Sequence, residues 1–251
     1  MRAGRLGTFV LYALPFLGVG IGYAFLGRFA GLRPAHVSDF RDLEQRLFPV
    51  RQGLEVHALS EVIASRPNVV LDVICGLTYF LFLPEVFGFA VFLFFRSRRR
   101  MLELSVGFLL VNLLGWTIWV LYPVAPPWYA DLHPDAAQIF TAPANAAALE
   151  RVDTLLGIAY FKNFYARSAY VFGAFPSLHV AYAVLVARIT WSLGGGLRAL
   201  TTGFALVIAF AAVYLRHHYI LDVLAGGVLG VLVAAVVSRR PVGERRWELA
   251  A

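Results

Sequence analysis

Six apolar stretches constrain this chain more than any other feature; they cover residues 6–26, 69–95, 102–121, 178–193, 199–215 and 220–237. About 20 apolar residues in a helix cross the roughly 30 Å of hydrocarbon in a bilayer. Inside that layer every backbone polar group must be paired within the segment, which selects helices here. The fourth stretch is the shortest, with about 16 residues and Arg188 inside it. The first follows Arg2 and Arg5, as the apolar run of a signal peptide does. It is long for that role and no small-residue cleavage site follows, so it reads as a span. A soluble core does not accommodate these runs: 60% of the 251 residues are apolar and 15% charged, far from the balance of a soluble domain of this size. The sequence predicts an all-α integral membrane protein, a six-helix bundle forming one domain over residues 1–251. No internal repeat or Gly/Ser linker divides it.

The formal charge of +7 does not indicate nucleic acid, because most basic residues flank the apolar runs, where arginines anchor helix ends at lipid headgroups. Arg2 and Arg5 precede the first run. Arg96, Arg98, Arg99 and Arg100 separate the second from the third, Arg198 the fourth from the fifth, and Arg239, Arg240, Arg245 and Arg246 follow the sixth. Six alternating crossings bring all four groups to one side, expected to be the cytoplasm, with both termini there. The long connections 27–68 and 122–177 then face outward. The first holds six arginines offset by five acidic residues. It also holds an amphipathic pattern, Phe40, Leu43, Leu47 and Val50 among Asp39, Arg41, Asp42, Glu44 and Arg46, which fits a helix in the interface plane, a re-entrant helix or a cover over the bundle. Pro49 ends it. Cys75, the single cysteine, excludes a disulfide framework. Arginine in place of all but one lysine (Lys162), with abundant Ala, Gly and Val, indicates a GC-rich bacterial genome and hence an inner membrane.

Ionisable groups in or beside spans are expensive and therefore candidates for function. Glu103 reads as a counter-ion to the arginines near it, and Asp72 and Glu85 have no role assigned by their neighbours. His218 and Asp222 are four apart and share a helix face. A carboxylate beside an imidazole fixes its tautomer and raises its basicity, although a buried His–Asp pair also serves simply to tie helices. A second histidine alters that balance. His179 stands in Phe175-Pro176-Ser177-Leu178-His179, at the start of the fourth run and about 40 residues before His218, yet six crossings place both at the same membrane depth. Ser177 follows a proline where a helix begins and free N–H groups point outward, a setting that binds anions. With Arg216 it suits a phosphate.

These residues resemble the type 2 phosphatidic acid phosphatase superfamily of lipid phosphatases and phosphotransferases. Its P-S-x-H motif is similar to Pro176–His179, with Leu178 where glycine is common, and its H-x-x-x-D motif to His218–Asp222. The strings from Phe172 to His179, Tyr214 to Tyr219 and Tyr122 to Pro127 look most like the inositol phosphorylceramide synthase branch. The resemblance covers about residues 122–230. It implies a metal-independent enzyme with no cofactor, in which His218 attacks phosphorus, Asp222 holds its other nitrogen, and His179 protonates the leaving alcohol and then deprotonates the acceptor. Ser177 and Arg216 are implied as phosphate ligands. The superfamily's Lys…Arg-Pro motif is absent, and Ala211 and Ala212 stand where Ser-Arg usually begins the third motif, so Lys162 and Arg167 are further candidates for the phosphate. His217, about 100° from His218 if both are helical, is assigned to the pocket lining.

A phospholipid or lipid phosphate is therefore the expected partner, in a membrane and without nucleic acid. A phosphotransferase moving a phosphate or phospho-alcohol headgroup, a lipid or polyprenyl phosphate phosphatase, and a transporter or lipid-binding bundle all suit six spans. The paired histidine motifs favour the first two, and the acceptor separates those. Trp116, Trp119, Trp128 and Tyr129 read as an interfacial aromatic belt, with stacking on a sugar or inositol ring as the alternative.

Overall fold

A computed structural model describes residues 2–133, 135 and 137–238. Its helices are α1 (Arg2–Leu26), α2 (Asp39–Leu47), α3 (Leu59–Ala64), α4 (Val69–Arg96), α5 (Arg98–Leu121), α6 (Pro127–Leu132), α7 (Glu150–Leu156), α8 (Tyr160–Tyr165), α9 (Leu178–Thr190), α10 (Gly195–Tyr214) and α11 (Ile220–Val237). Two strands, β1 (Pro49–Gln52) and β2 (Glu55–Ala58), form an antiparallel hairpin. Among the described residues five helices, α1, α4, α5, α10 and α11, are long and apolar enough to cross a membrane, and the apolar Leu178–Leu193 is shorter.

Local chemistry sets the helix boundaries. Asn68, after Pro67, caps α4 by accepting from the N–H groups of Val70 and Leu71. Ser97 alone separates α4 from α5, and Pro123 follows the end of α5. Ser177 begins α9 by accepting from Val180 N–H. Asp222, in the first turn of α11, accepts from Tyr219 N–H at 2.8 Å.

The short α9 is the axis of the bundle. It packs against α4, α5, α10 and α11, and its side chains from Val180 to Ala183 and Leu185 to Ala187 are buried. Its closest neighbour is α11: a Cβ on Gly226 would stand 2.2 Å from the Ser177 carbonyl oxygen, and one on Gly230 2.7 Å from that of Ala181. Gly227, on another face, has open space around it. Small residues thus bring two backbones together where hydrocarbon provides no hydrophobic drive. Across α5, Tyr182 donates to Asn112 at 2.6 Å within the buried interior. α1 stands at the periphery. It packs along α5 and meets α4 through Phe9–Phe94 and Phe16–Phe87, while Leu11 and Leu17 remain largely exposed.

Arg100 at the start of α5 donates to the Ile189 carbonyl and to Ser192 Oγ at the far end of α9, and Arg99 pairs with Glu103 at 2.8 Å, as expected of a counter-ion. These arginines lie at the end of α9 opposite His179. Arg239, Arg240, Arg245 and Arg246 fall outside the described residues.

The connection 27–68 differs from its expectation in two ways. The chain is mostly helical but not purely so, because Pro49 ends α2 and the next residues pair as a hairpin, turning at Gly53 with φ +65. The buried face of α2 is also not its aliphatic one. Phe40 and Glu44 point inward, whereas Leu43 and Leu47 are exposed. Glu44 accepts from Ser60 Oγ at 2.5 Å and from Leu221 N–H at 3.1 Å, so it satisfies a free N–H at the start of α11. Asp72 likewise has a structural place: it pairs with Arg151 and accepts from Tyr214 Oη at 2.9 Å.

Candidate active site

His179 is the second residue of α9, and His218 lies in the turn between α10 and α11. That turn is not helical. The N–H groups of His217 and His218 both donate to the Ala212 carbonyl, and Arg216 adopts a left-handed φ of +63 that reverses the chain. The segment before α9 crosses nearby, held by Val124 N–H to Phe172 O and Ala174 N–H to Val124 O. Ala174 is thereby fixed with its carbonyl 2.9 Å from His218 Nδ1.

A carbonyl only accepts, so His218 Nδ1 carries the proton and Nε2 presents a lone pair. Nε2 lies 3.1 Å from His179 Nδ1, which must then be the donor. Asp222 Oδ2 is 3.5 Å from His218 Nδ1, behind the ring, and its nearer bond is to Tyr219 N–H. The tautomer is thus held most directly by the Ala174 carbonyl, a backbone group that no side-chain motif marks, with the buried Asp222 carboxyl group farther off. Burial pushes His218 down to about 4, with the Ala174 carbonyl opposing that in part. At neutral pH the imidazole is uncharged and nucleophilic.

His217 is also held well below the usual histidine range by burial and then by His179 and His218. It donates from Nε2 to the Ala146 carbonyl at 3.2 Å, and its ring stacks between Tyr79 and Tyr165.

The histidines open onto a cavity of about 530 Å³. His179, His217, His218 and Arg167 line its polar end, and Phe16, Phe87 and Phe108 part of its apolar wall. Of the four candidate phosphate ligands, Arg167 lines this cavity. Ser177 is fully buried as the cap of α9. Arg216 forms a two-pronged pair with Asp131, at 2.5 Å between Nη2 and Oδ1 and 3.0 Å between Nε and Oδ2. Lys162 is exposed on α8, its backbone N–H bound to Asp153.

The aromatic-belt expectation is corrected. Trp116, Trp119 and Trp128 are buried in protein and all three line the cavity. Tyr129 is fully buried, its hydroxyl donating to Ala137 O and accepting from Ile139 N–H. Tyr23 of α1 packs on Trp116, Tyr170 stacks on Trp119 and Phe172 packs on Tyr129, so these rings face protein and the cavity.

A profile described as PAP2 superfamily matches residues 46–236. The phosphoinositol dihydroceramide synthase of Bacteroides thetaiotaomicron is 34% identical over 220 residues, covering 85% of this chain and 71% of that protein. The inositol phosphorylceramide synthase of Candida albicans is 31% identical over 179 residues, and the catalytic subunit of Saccharomyces cerevisiae inositol phosphorylceramide synthase 32% identical over 179. The chain spans 38% and 44% of those two fungal proteins. The crystal structure of Aquifex aeolicus LpxE shares the fold, with a TM-score of 0.51, 18% identity, and coverage of 71% of this chain and 92% of that one. The chain belongs to the PAP2 superfamily.

Proposed function

We propose that this PAP2-superfamily chain is a membrane phosphotransferase that moves phosphoinositol from a phospholipid to a lipid alcohol through an intermediate on His218. The observation that carries this reading is the pair of facing histidines, His218 Nε2 to His179 Nδ1 at 3.1 Å, lining a large and mostly apolar cavity. The phosphoinositol named for the Bacteroides relative supports the choice of headgroup, and the cavity's apolar wall supports lipid partners.

In the first step Nε2 of His218 attacks phosphorus. The N–P bond forms and the P–O bond to the diacylglycerol breaks, while His179, protonated on both ring nitrogens for this step, turns its Nδ1–H from Nε2 to the departing oxygen, gives it that proton and is left as neutral imidazole. In the second step His179 takes the proton of the acceptor hydroxyl, whose oxygen displaces the imidazole from phosphorus. Asp222 stabilises the positive charge that His218 carries between the two steps. Arg167 is the cation assigned to the phosphate oxygens, where charge stabilisation counts most in phosphoryl transfer. Ser177 and Arg216 act one layer back, by starting α9 and by pinning the His218 turn to Asp131, and Lys162, exposed on α8, is given no contact with the phosphate. No step needs a metal.

The same reading takes the chain as one domain crossing the inner membrane of a bacterium six times, with α9 as the short central crossing. The arginine end and both termini face the cytoplasm, and the histidine end faces outward. Arginine accumulation beside the crossings supports this orientation.

The test is turnover of a labelled phospholipid panel in detergent with chelator, with and without added lipid alcohol, for wild type, His218→Ala and His179→Ala. A headgroup-bearing product that requires the acceptor, abolished in His218→Ala and reduced about 10²–10⁴-fold in His179→Ala, is expected. Inorganic phosphate released without an acceptor identifies a phosphatase instead. Activity equal in all three proteins overturns the site.

A further inference from the structure

The family match begins at residue 46, so α1 lies outside it, yet α1 supplies part of the cavity wall. Phe16, Val19, Gly20 and Tyr23 all line the cavity, and their spacing of three, four and seven residues puts them on one face of the helix. Phe87 of α4 and Phe108 of α5 line it as well, and their rings stand 5.4 and 5.2 Å from that of Phe16. The cavity therefore continues from the histidines along the seam between α1 and its neighbours. Among the described residues nothing lies within 4 Å of the position a Cβ on Gly20 would take, so the space before it is open.

Two turns along α5 from Phe108, towards the histidine end, stands Trp116. It is 8% exposed and lines the cavity, and its indole Nε1–H is buried without a partner among the described residues. A buried donor left unpaired is unfavourable, and a ligand with an acceptor oxygen at that point relieves it. A largely apolar seam with an unpaired, buried N–H beside it suits a hydrocarbon chain joined through an acceptor oxygen, such as the carbonyl of an ester or amide, to the part of the molecule that reacts.

We propose that the α1–α5 seam is a lipid-chain subsite. One alkyl chain of a lipid substrate lies against Phe16, Val19 and Gly20, and the carbonyl of its ester or amide linkage accepts the Trp116 N–H. This rests on the phosphotransferase reading and adds to it which element selects the chain. The donor phospholipid and the acceptor lipid alcohol both carry such a chain, so the experiment varies each separately.

Wild type, Gly20→Leu and Trp116→Phe are compared as full-length protein in detergent. One arm uses donor phospholipids with hexanoyl or palmitoyl chains, the other lipid alcohol acceptors with the same two chains. Gly20→Leu is expected to lower kcat/KM about tenfold or more for the palmitoyl ligand of one arm, leaving the hexanoyl value within about twofold of wild type, and that arm identifies the occupant. Equal effects at both chain lengths in both arms, or none, overturn the subsite. Trp116→Phe, which keeps a ring but loses the N–H, is expected to raise KM about fivefold at both lengths with kcat unchanged; an unchanged KM overturns the assignment of the linkage. A second readout, stabilisation against heat by hexadecyl phosphate, separates this inference from the transfer reading. If no donor is turned over, stabilisation kept by His218→Ala and lost in Gly20→Leu still supports the subsite. Stabilisation equal in wild type and Gly20→Leu, or absent from both, overturns it.

Discussion

α9 and α1 are both apolar helices, yet they hold opposite places in the fold. α9 is short, surrounded by four helices, and so close to α11 that two glycines face its carbonyl oxygens. α1 is nearly twice as long, touches its neighbours along one face, and leaves Leu11 and Leu17 open to its surroundings. A helix wrapped in protein need not be long enough to meet both lipid interfaces by itself, whereas one facing lipid must be. The difference also separates precision from access. His179 and Ser177 sit where backbone contact leaves no slack, and α1 borders the cavity where a chain from the bilayer arrives.

Glycine substitutions break this contrast most sharply. Gly226→Val is expected to force α9 from α11, abolish headgroup transfer and lower stability by about 3 kcal/mol. Gly18→Val on α1, where nothing lies within 4 Å, is expected to change stability by less than about 0.5 kcal/mol and leave turnover intact. Thermal unfolding and turnover in detergent check both. Equal damage from the two substitutions would contradict the assigned roles of the helices.

Ion pairs give the next effect in size. Asp72→Asn weakens the bonds of a buried carboxylate to Arg151 and Tyr214 and is expected to cost about 2 kcal/mol, reduced from the fully buried case because Arg151 is a third exposed. Glu103→Gln removes a helix-surface pair at the arginine end and is expected to cost no more than about 0.5 kcal/mol. Unfolding midpoints of the two variants read the ratio directly.

A smaller signature lies in the pH profile. His218 is held at about 4 by burial, below its value of about 6.5 in an unfolded chain. Its neutral form is favoured by the fold, so its contribution to stability is complete above about pH 6.5 and is lost as the pH falls towards 4, because the unfolded chain takes the proton first. kcat/KM is accordingly expected to run level through pH 6.5 and fall only on approach to pH 4. An inflection near 6.5 that disappears in no other histidine variant would place His218 in water rather than in the buried turn.

Much of the membrane architecture was legible from apolar run lengths, because bilayer thickness fixes how long a spanning helix must be. The run over 178–193 looked deficient in the sequence, and the structure explains why: its neighbours, not lipid, surround it. The proline and serine before Leu178 marked the start of α9 because capping is local chemistry. Features made by long-range contacts left no comparable trace. Ala174 holds the His218 tautomer through a backbone carbonyl, which any residue supplies. The Arg216–Asp131 pair joins residues 85 apart, and Glu44 caps a helix that begins 176 residues later in the chain. The tryptophans near the end of α5 carried a real signal, but the belt and the cavity wall share the same composition. Long-range contacts, such as Tyr170 on Trp119, distinguish them.

The most direct test of the central claim is to trap the intermediate. Wild type and His218→Ala are mixed with a phospholipid labelled at phosphorus, quenched early in turnover, and digested for mass spectrometry. A headgroup phosphate on the peptide containing His218, acid-labile and base-stable, formed in wild type and discharged on adding lipid alcohol, is the predicted result. Turnover in wild type with no adduct on that peptide, or an adduct that persists in His218→Ala, would contradict the account.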